Sequence, residues 1–285
     1  MSKICWLASY PKSGNTWVRI LLSNYLSELE HPADINALEI NAIASSRQLF
    51  DEYIGLSSSD MDEDVIKYYQ PCLYDELVRN ANHDIYMKVH DAYIVNQDGL
   101  PLFSATATKN IIYIIRNPLD VATSFAHHLN ISLNNSIQHM CDESFTMAKS
   151  VDNINNQLPQ LLLSWSGHVQ SWIESGLKVH IVRYEDMIFD PKKSFKAILE
   201  FMNFDVNEER LEKAISFSSF DSLKKQEQEK GFMMKDPRSQ SFFRKGQIGA
   251  YREELTQEQI DTIVEYHRET MIKYGYLNEH NQLVY

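Results

Sequence analysis

The chain is poor in cysteine, short of positive charge and without a long apolar run. Cys5, Cys72 and Cys141 are odd in number and scattered over 285 residues, which excludes a disulfide framework or a zinc cluster and fits a reducing compartment. Lysine and arginine total 27 against 39 acidic residues, a net charge of -12. A broad surface for nucleic acid is thereby excluded, and any anion must be met by a local pocket. No apolar stretch approaches the roughly 20 residues that span a membrane, and the N-terminus lacks an apolar core with a small-residue cleavage site. A cytoplasmic protein with no membrane partner is expected. Linkers, repeats and low-complexity tracts are missing too, so residues 1–285 read as a single domain, and a 44% hydrophobic fraction suffices for its core.

What is present begins with ASYPKSGNTWVRILL, from Ala8 to Leu22. Before it, residues 3–9 form a short apolar run that reads as a buried strand. After it the period changes: Val18, Leu22, Tyr25 and Leu29 recur at helical spacing, flanked by Leu21 and Leu26. The unit is strand, tight loop, helix. The first N–H groups of such a helix have no intrahelical partner and its dipole is positive there, so the loop suits an anion. Lys12 adds positive charge, Gly14 permits close backbone approach, and Ser13 and Thr16 add hydroxyl donors. A phosphate is the expected guest; an ordinary turn with a solvated lysine is the competing reading. The usual triphosphate loop, GxxxxGK[ST], has its lysine after the last glycine, whereas Lys12 precedes Gly14, which disfavours a nucleoside triphosphate with magnesium.

Three further apolar runs, 85–89, 111–115 and 179–182, read as core strands, with helical segments between and after them. Asn117-Pro118 and Asp190-Pro191 pair a capping side chain with proline at the first helical position, and Thr256 with Gln259 forms a capping box for a last helix ending near Gly275. The fold class is α/β with a mostly parallel sheet flanked by helices. In such folds ligands meet the carboxyl ends of strands, so Ser9 to Asn15, His90, Arg116 and Arg183-Tyr184 are expected at one crevice. Stretches 130–157 and 224–241 read as loops or lids, and region 31–84 as helical in pieces.

Arg116 ends a strand of four isoleucines and a tyrosine, where a guanidinium pairs with a carboxylate or binds phosphate. Ser124 follows within a helix. Near the C-terminus, FFRKGQIGAY gathers Arg244, Lys245, Gly246 and Gly249 into a basic turn that reads as a second phosphate contact or as a solvated surface turn.

Together YPKSGNTW, RNPLDVATS and FFRKGQIGAY resemble, in that order, the 5′-phosphosulfate loop, the 3′-phosphate motif and the C-terminal glycine motif of the cytosolic-type sulfotransferase family, with a likeness from residue 4 to about 255. The resemblance implies a P-loop-like sulfotransferase fold. It also implies transfer of the sulfuryl group of 3′-phosphoadenosine 5′-phosphosulfate (PAPS) to a hydroxyl or amine, leaving 3′-phosphoadenosine 5′-phosphate (PAP), with no metal. By this likeness Lys12, Ser13, Gly14, Asn15 and Thr16 hold the 5′-phosphosulfate, Lys12 reaching the bridging oxygen, and Trp17 lies near the adenine. Arg116, Ser124, Arg244, Lys245 and Gly246 meet the 3′-phosphate, while Tyr184, Ser218, Ser219, Phe220 and Phe243 line the nucleotide. His90, in MKVHDAY, falls at the family's catalytic histidine, and an imidazole suits a general base near neutral pH. A structural histidine is the alternative, and His127 and His128 are held in reserve as acceptor contacts.

Tyr251-Arg252 stands where the family commonly has Trp-Lys, and Asp91-Ala92-Tyr93 replaces the Leu-Pro typical of the animal enzymes, so the acceptor pocket differs in detail. The flavour is similar to bacterial enzymes that tailor small molecules in secondary metabolism. The net charge of -12 favours a neutral or cationic acceptor. The sequence sets no oligomeric state, a homodimer included. A small-molecule kinase on a related phosphate-loop fold is the rival reading.

Overall fold

The computed structural model describes residues 2–27, 30–96, 98–149, 153–235 and 241–285. In chain order its strands are β1 (Ile4–Ala8), β2 (Ile85–Val89), β3 (Thr108–Ile115), β4 (Thr146–Met147), β5 (Gln160–Leu161) and β6 (Val179–Arg183). Its helices are α1 (Asn15–Leu26), α2 (Arg47–Ile54), α3 (Glu63–Asn80), α4 (Pro118–Leu129), α5 (Leu133–Met140), α6 (Trp165–Ile173), α7 (Tyr184–Phe189), α8 (Pro191–Phe201), α9 (Glu208–Phe217), α10 (Phe220–Lys230) and α11 (Gln257–Lys273). The chain forms two compact units: Met1–Tyr10, Ala42–Tyr113 and Glu143–Ile181 make the first, and Pro11–Asn41, Ile114–Asp142 and Val182–Tyr285 the second.

The first unit carries the central sheet, ordered β2-β1-β3-β6, and the last residues of β3 and β6 continue into the second unit. Strand β1 pairs in parallel with β2 and with β3, placing Trp6 opposite both Met87 and Ile111. Every residue of β1 is buried, and so are Ile111 to Ile115 of β3. Burial on both faces explains why these strands read as unbroken apolar runs rather than alternating ones. The core is aromatic. The Trp6 ring meets Tyr74 at 4.9 Å and Phe103 at 4.8 Å, and Phe103 stacks on Trp172 at 4.9 Å. Both indoles keep a polar partner: Trp6 Nε1 donates to Thr108 Oγ1 at 2.9 Å and Trp172 Nε1 to the Asp91 carbonyl at 3.0 Å.

In the second unit, α1 buries Val18, Ile20, Leu21, Leu22 and Tyr25; Leu29 of the expected stripe lies outside the described residues. Ile20 packs in a cluster with Ile35, Leu38, Leu223, Phe232 and Phe243. The expected caps are made. Asn117 accepts from Leu119 N at the start of α4, Asp190 from Lys193 N at the start of α8, and Thr256 and Gln259 bond reciprocally at α11.

Two regions expected as loops are more regular. Residues 224–230 belong to α10, which Ser219 caps, whose Leu223 and Glu227 are buried one turn apart, and which Gly231 ends at φ 73°. Residues 236–240 of that stretch lie outside the described residues. Within 130–157, Ser132 caps α5, which buries Ile137 and Met140, and β4 pairs antiparallel with β5; residues 150–152 lie outside the described residues. Region 31–84 is helical in pieces, through α2, a 3-10 turn at Ser58–Asp60 and α3. Among the described residues no helix is long and apolar enough to cross a membrane, and no group of side chains is arranged to hold a metal ion.

Candidate functional site

The loop before α1 takes two left-handed residues, Lys12 at φ 68° and Gly14 at φ 107°. A Cβ on Gly14 would lie 2.7 Å from the Tyr184 ring, so glycine is required by conformation and by space together. Gly14 is the N-cap of α1 and brings no side-chain cap. Its carbonyl accepts from Trp17 N at 3.0 Å, whereas the N–H groups of Ser13, Gly14 and Thr16 have no acceptor among the described residues. Ser13 Oγ is buried and likewise has no partner among them. A buried hydroxyl and a row of open amides at a helix N-terminus form a ready site for anionic oxygens.

Lys12 is half-buried, with Nζ 4.2 Å above the Phe242 ring. Burial pushes its pKa down to about 8; Arg116 and Arg244 push the same way, and Glu227 opposes them. The Glu227 carboxylate accepts from the backbone N–H groups of Phe242 at 2.6 Å and Phe243 at 3.0 Å. Those bonds fix the segment that carries the aromatic platform under the lysine.

Arg116 Nη1 donates to the Lys12 carbonyl at 3.1 Å and Nη2 to that of Gln247 at 3.3 Å, with the guanidinium 4.3 Å above the Tyr184 ring. Among the described residues its buried Nε has no partner and no carboxylate pairs with it. Of the two readings open for this guanidinium, the structural ion pair is therefore not made there. The adjoining Asn117 N donates to Glu185 at 3.0 Å; Glu185 also accepts from Tyr276 at 3.1 Å, and burial raises its pKa.

The basic turn is tied to α4 through Asp120, whose buried carboxylate accepts from Gly249 N at 2.8 Å and Tyr251 N at 3.1 Å. Gly246 sits at φ 61°, and a Cβ there would fall 2.5 Å from the Phe220 ring. Arg244 and Lys245 are not simply solvated. Glu254 Oε1 accepts from Arg244 at 2.8 Å and from Lys245 at 3.1 Å, Glu254 Oε2 lies 2.9 Å from His127, and Glu253 takes Lys245 at 2.7 Å. Burial works to raise the Glu254 pKa, but the bonds from His127, Arg244 and Lys245 overcome it and hold it at about 2.

One cleft in the second unit is lined by Lys12, Ser124, His127, His128, Lys235, Ser241, Phe242 and Arg244. The structure thus brings Lys12, Ser124 and Arg244 to one opening, with Arg116 against the Lys12 loop. Asn15 begins α1, and Thr16 follows half-buried. Trp17 packs edge-on to Tyr184 at 5.8 Å and Phe195 at 5.5 Å, and its Nε1 donates to the Ser218 carbonyl at 2.9 Å. Ser218 is buried and accepts from Asn24 at 3.0 Å, while the Ser219 hydroxyl caps α10. Phe243, expected to line the nucleotide, is buried in the hydrophobic cluster, and its neighbour Phe242 packs against the same cluster and also lines the cleft. The two rings lie 5.1 Å apart and both meet Phe232, at 4.8 Å and 5.5 Å. His127, expected in reserve for the acceptor, bonds Glu254.

His90 belongs to the first unit, where it follows β2. Its Nδ1 lies 2.8 Å from the Ser9 carbonyl and 3.3 Å from Ser9 Oγ. A carbonyl only accepts, so Nδ1 carries the proton and, in the neutral ring, Nε2 keeps the lone pair. His168 supports it: His168 Nε2 donates to the His90 carbonyl at 2.9 Å, so its Nδ1 accepts from Tyr113 Oη at 2.7 Å. Burial lowers the His168 pKa to about 4, which keeps that ring neutral, and burial raises the neighbouring Asp91 to about 7. Sequence reasoning did not single out Phe242, Asp120, Glu227, Glu254 or His168. Phe242 lies within the quoted glycine motif, and Asp120 within RNPLDVATS, but nothing local distinguishes the other three.

Residues 3–275 match the family model described as sulfotransferase domain. The chain is 27% identical over 271 residues to flavonol 3-sulfotransferase of Flaveria bidentis, covering 90% of this chain and 78% of that protein. It is 24% identical over 273 residues to cytosolic sulfotransferase 13 of Arabidopsis thaliana, covering 88% of this chain and 71% of that protein. In fold it is similar to mouse sulfotransferase SULT7A1 complexed with PAP, at TM-score 0.59 and 24% identity over 94% of this chain and 84% of that one. With an open anion loop before α1 and a family match over nearly its whole length, the chain belongs to the sulfotransferase domain family.

Proposed function

We propose that the chain transfers the sulfuryl group of PAPS to a hydroxyl or amine of a small, neutral or cationic acceptor in the cytoplasm, with residues 1–285 acting as one sulfotransferase domain. The observation that carries this reading is the loop before α1, where the Ser13 hydroxyl and three amide N–H groups, beside Lys12 and Arg116, have no partner among the described residues. The buried Arg116 Nε, which has no acceptor among those residues, fits a further anionic oxygen. The PAP complex of the mouse relative supports the choice of nucleotide.

When bound, PAPS supplies the sulfuryl group and a phosphate that gains negative charge as the group departs. Lys12 holds its Nζ proton against that charge, and the amides of Ser13, Gly14 and Thr16, with Asn15 among them, hold the 5′ oxygens. A lysine pushed to about 8 is still mostly protonated at neutral pH, and an anion beside it raises its pKa again. Trp17, Tyr184, Ser218, Ser219, Phe220 and Phe243 shape the nucleotide pocket from the fold side, and Phe242 from the cleft. Arg116, Ser124, Arg244, Lys245 and Gly246 take the 3′-phosphate. His90, with Nδ1 tied to Ser9, accepts the acceptor's proton on Nε2.

Incubation with PAPS and a panel of phenols, alcohols and amines tests this, read as a mass increase of one sulfuryl group that is lost in Lys12→Ala. Phosphate transfer from ATP with magnesium, and none from PAPS, is the result a small-molecule kinase would give.

A further inference from the structure

Glu254 is the carboxylate on which two cations and an imidazole of the second unit converge. One of its oxygens serves both Arg244 at 2.8 Å and Lys245 at 3.1 Å, and the other lies 2.9 Å from His127. Two of these groups, Arg244 and His127, also line the cleft with Lys12 and Ser124. A carboxylate and a phosphate offer the same thing to a guanidinium or an ammonium, a pair of anionic oxygens in one plane. Two of the cations read as meeting the 3′-phosphate, Arg244 and Lys245, are therefore already satisfied by a group of like charge to the ligand.

The other acids near the cleft do not play this part. Glu227 spends its two oxygens on the backbone N–H groups of Phe242 and Phe243. Glu253 reaches Lys245, and its side chain is 74% exposed, so its hold is screened by water. The Glu254 side chain is 17% exposed, and its bonds to Arg244 and Lys245 are shielded accordingly.

We propose that Glu254 is a built-in counter-anion that the 3′-phosphate must displace from Arg244 and Lys245, so that this residue sets how strongly the site distinguishes a 3′-phosphorylated nucleotide from one lacking that group. The proposal rests on the reading that Arg244 and Lys245 meet the 3′-phosphate. A nucleotide without the phosphate leaves the Glu254 bonds intact and gains nothing there. One with it exchanges existing charge-assisted bonds for new ones, and its net gain is reduced by what it breaks.

Calorimetric titration of wild type, Glu254→Gln, Glu254→Ala and Arg244→Ala with PAP and with AMP, which differs only in lacking the 3′-phosphate, tests this. Both Glu254 variants are expected to bind PAP about tenfold tighter, the worth of one charge-assisted hydrogen bond, with AMP affinity unchanged. If PAP binding is unchanged or weaker in both, Glu254 merely orients Arg244 and the proposal is overturned; equal tightening for AMP overturns it as well. Arg244→Ala reports on the underlying reading separately: PAP affinity should fall toward that of AMP, and an unchanged value removes Arg244 from the 3′-phosphate whatever Glu254 does.

Discussion

The Arg116 guanidinium donates to the Lys12 carbonyl at 3.1 Å, so the residue that follows β3 holds the backbone of the loop that precedes α1. The same guanidinium lies 4.3 Å over Tyr184, the ring that closes against Gly14. A planar fork that bonds and stacks at once has no equivalent in an ammonium. Arg116→Lys is expected to weaken PAP binding roughly 10- to 100-fold in calorimetry, through loss of the loop's support as well as of a bidentate anion contact.

Gly14 should tolerate no side chain. At φ 107°, with the Tyr184 ring 2.7 Å from where a methyl group would sit, Gly14→Ala costs about 1–3 kcal/mol of backbone strain before the ring moves aside. A lower Tm and loss of PAP binding are both expected, read by thermal melting with and without the nucleotide.

Lys12 links pH to stability in a direction that can be worked out. Its folded pKa, about 8, lies below the ordinary lysine value of 10.5, so between these limits the unfolded chain binds more protons than the folded one. Its contribution to stability therefore rises as pH climbs from about 8 to 10.5 and is at its least favourable below 8. Lys12→Gln is expected to raise Tm at pH 7 while abolishing PAP binding, and to flatten the rise in Tm above pH 8. PAP affinity in wild type should run the other way, full below about pH 8 and falling above it as the free lysine loses its proton.

In the proposed role His90 takes the proton on Nε2, because its Nδ1 meets the Ser9 carbonyl at 2.8 Å. His90→Ala is expected to reduce the rate of sulfuryl transfer by about 10²- to 10⁴-fold in single-turnover assays with saturating PAPS, while calorimetry shows PAP binding retained. Loss of nucleotide binding in this variant would contradict the role of base.

The strand, loop and helix around Lys12 were legible in the sequence because a buried parallel strand has no alternation and an amphipathic helix has a strong one. The caps at Asn117, Asp190 and Thr256 were legible because each needs only two or three neighbouring residues. Helix α5 was hidden by its asparagine and serine content; its apolar stripe is little more than Ile137 and Met140, and tertiary packing decides it. The backbone of Phe242 and Phe243 is held by Glu227, more than ten residues earlier, and the engagement of Arg244 and Lys245 depends on which way Glu254 turns. Contacts of that kind leave no local pattern. His168 is equally silent, since a histidine on an apolar helix face reveals its bond to the His90 carbonyl only when the chain is folded.

The central claim, that the open helix N-terminus beside Lys12 and Arg116 receives a 3′,5′-bisphosphorylated adenosine, is tested most directly by calorimetric titration with PAP in EDTA. Saturable one-to-one binding that disappears in Lys12→Ala and Arg116→Ala, with ATP binding far more weakly, is the predicted result. Absence of PAP binding to the wild-type chain, or equal binding to both variants, would contradict it.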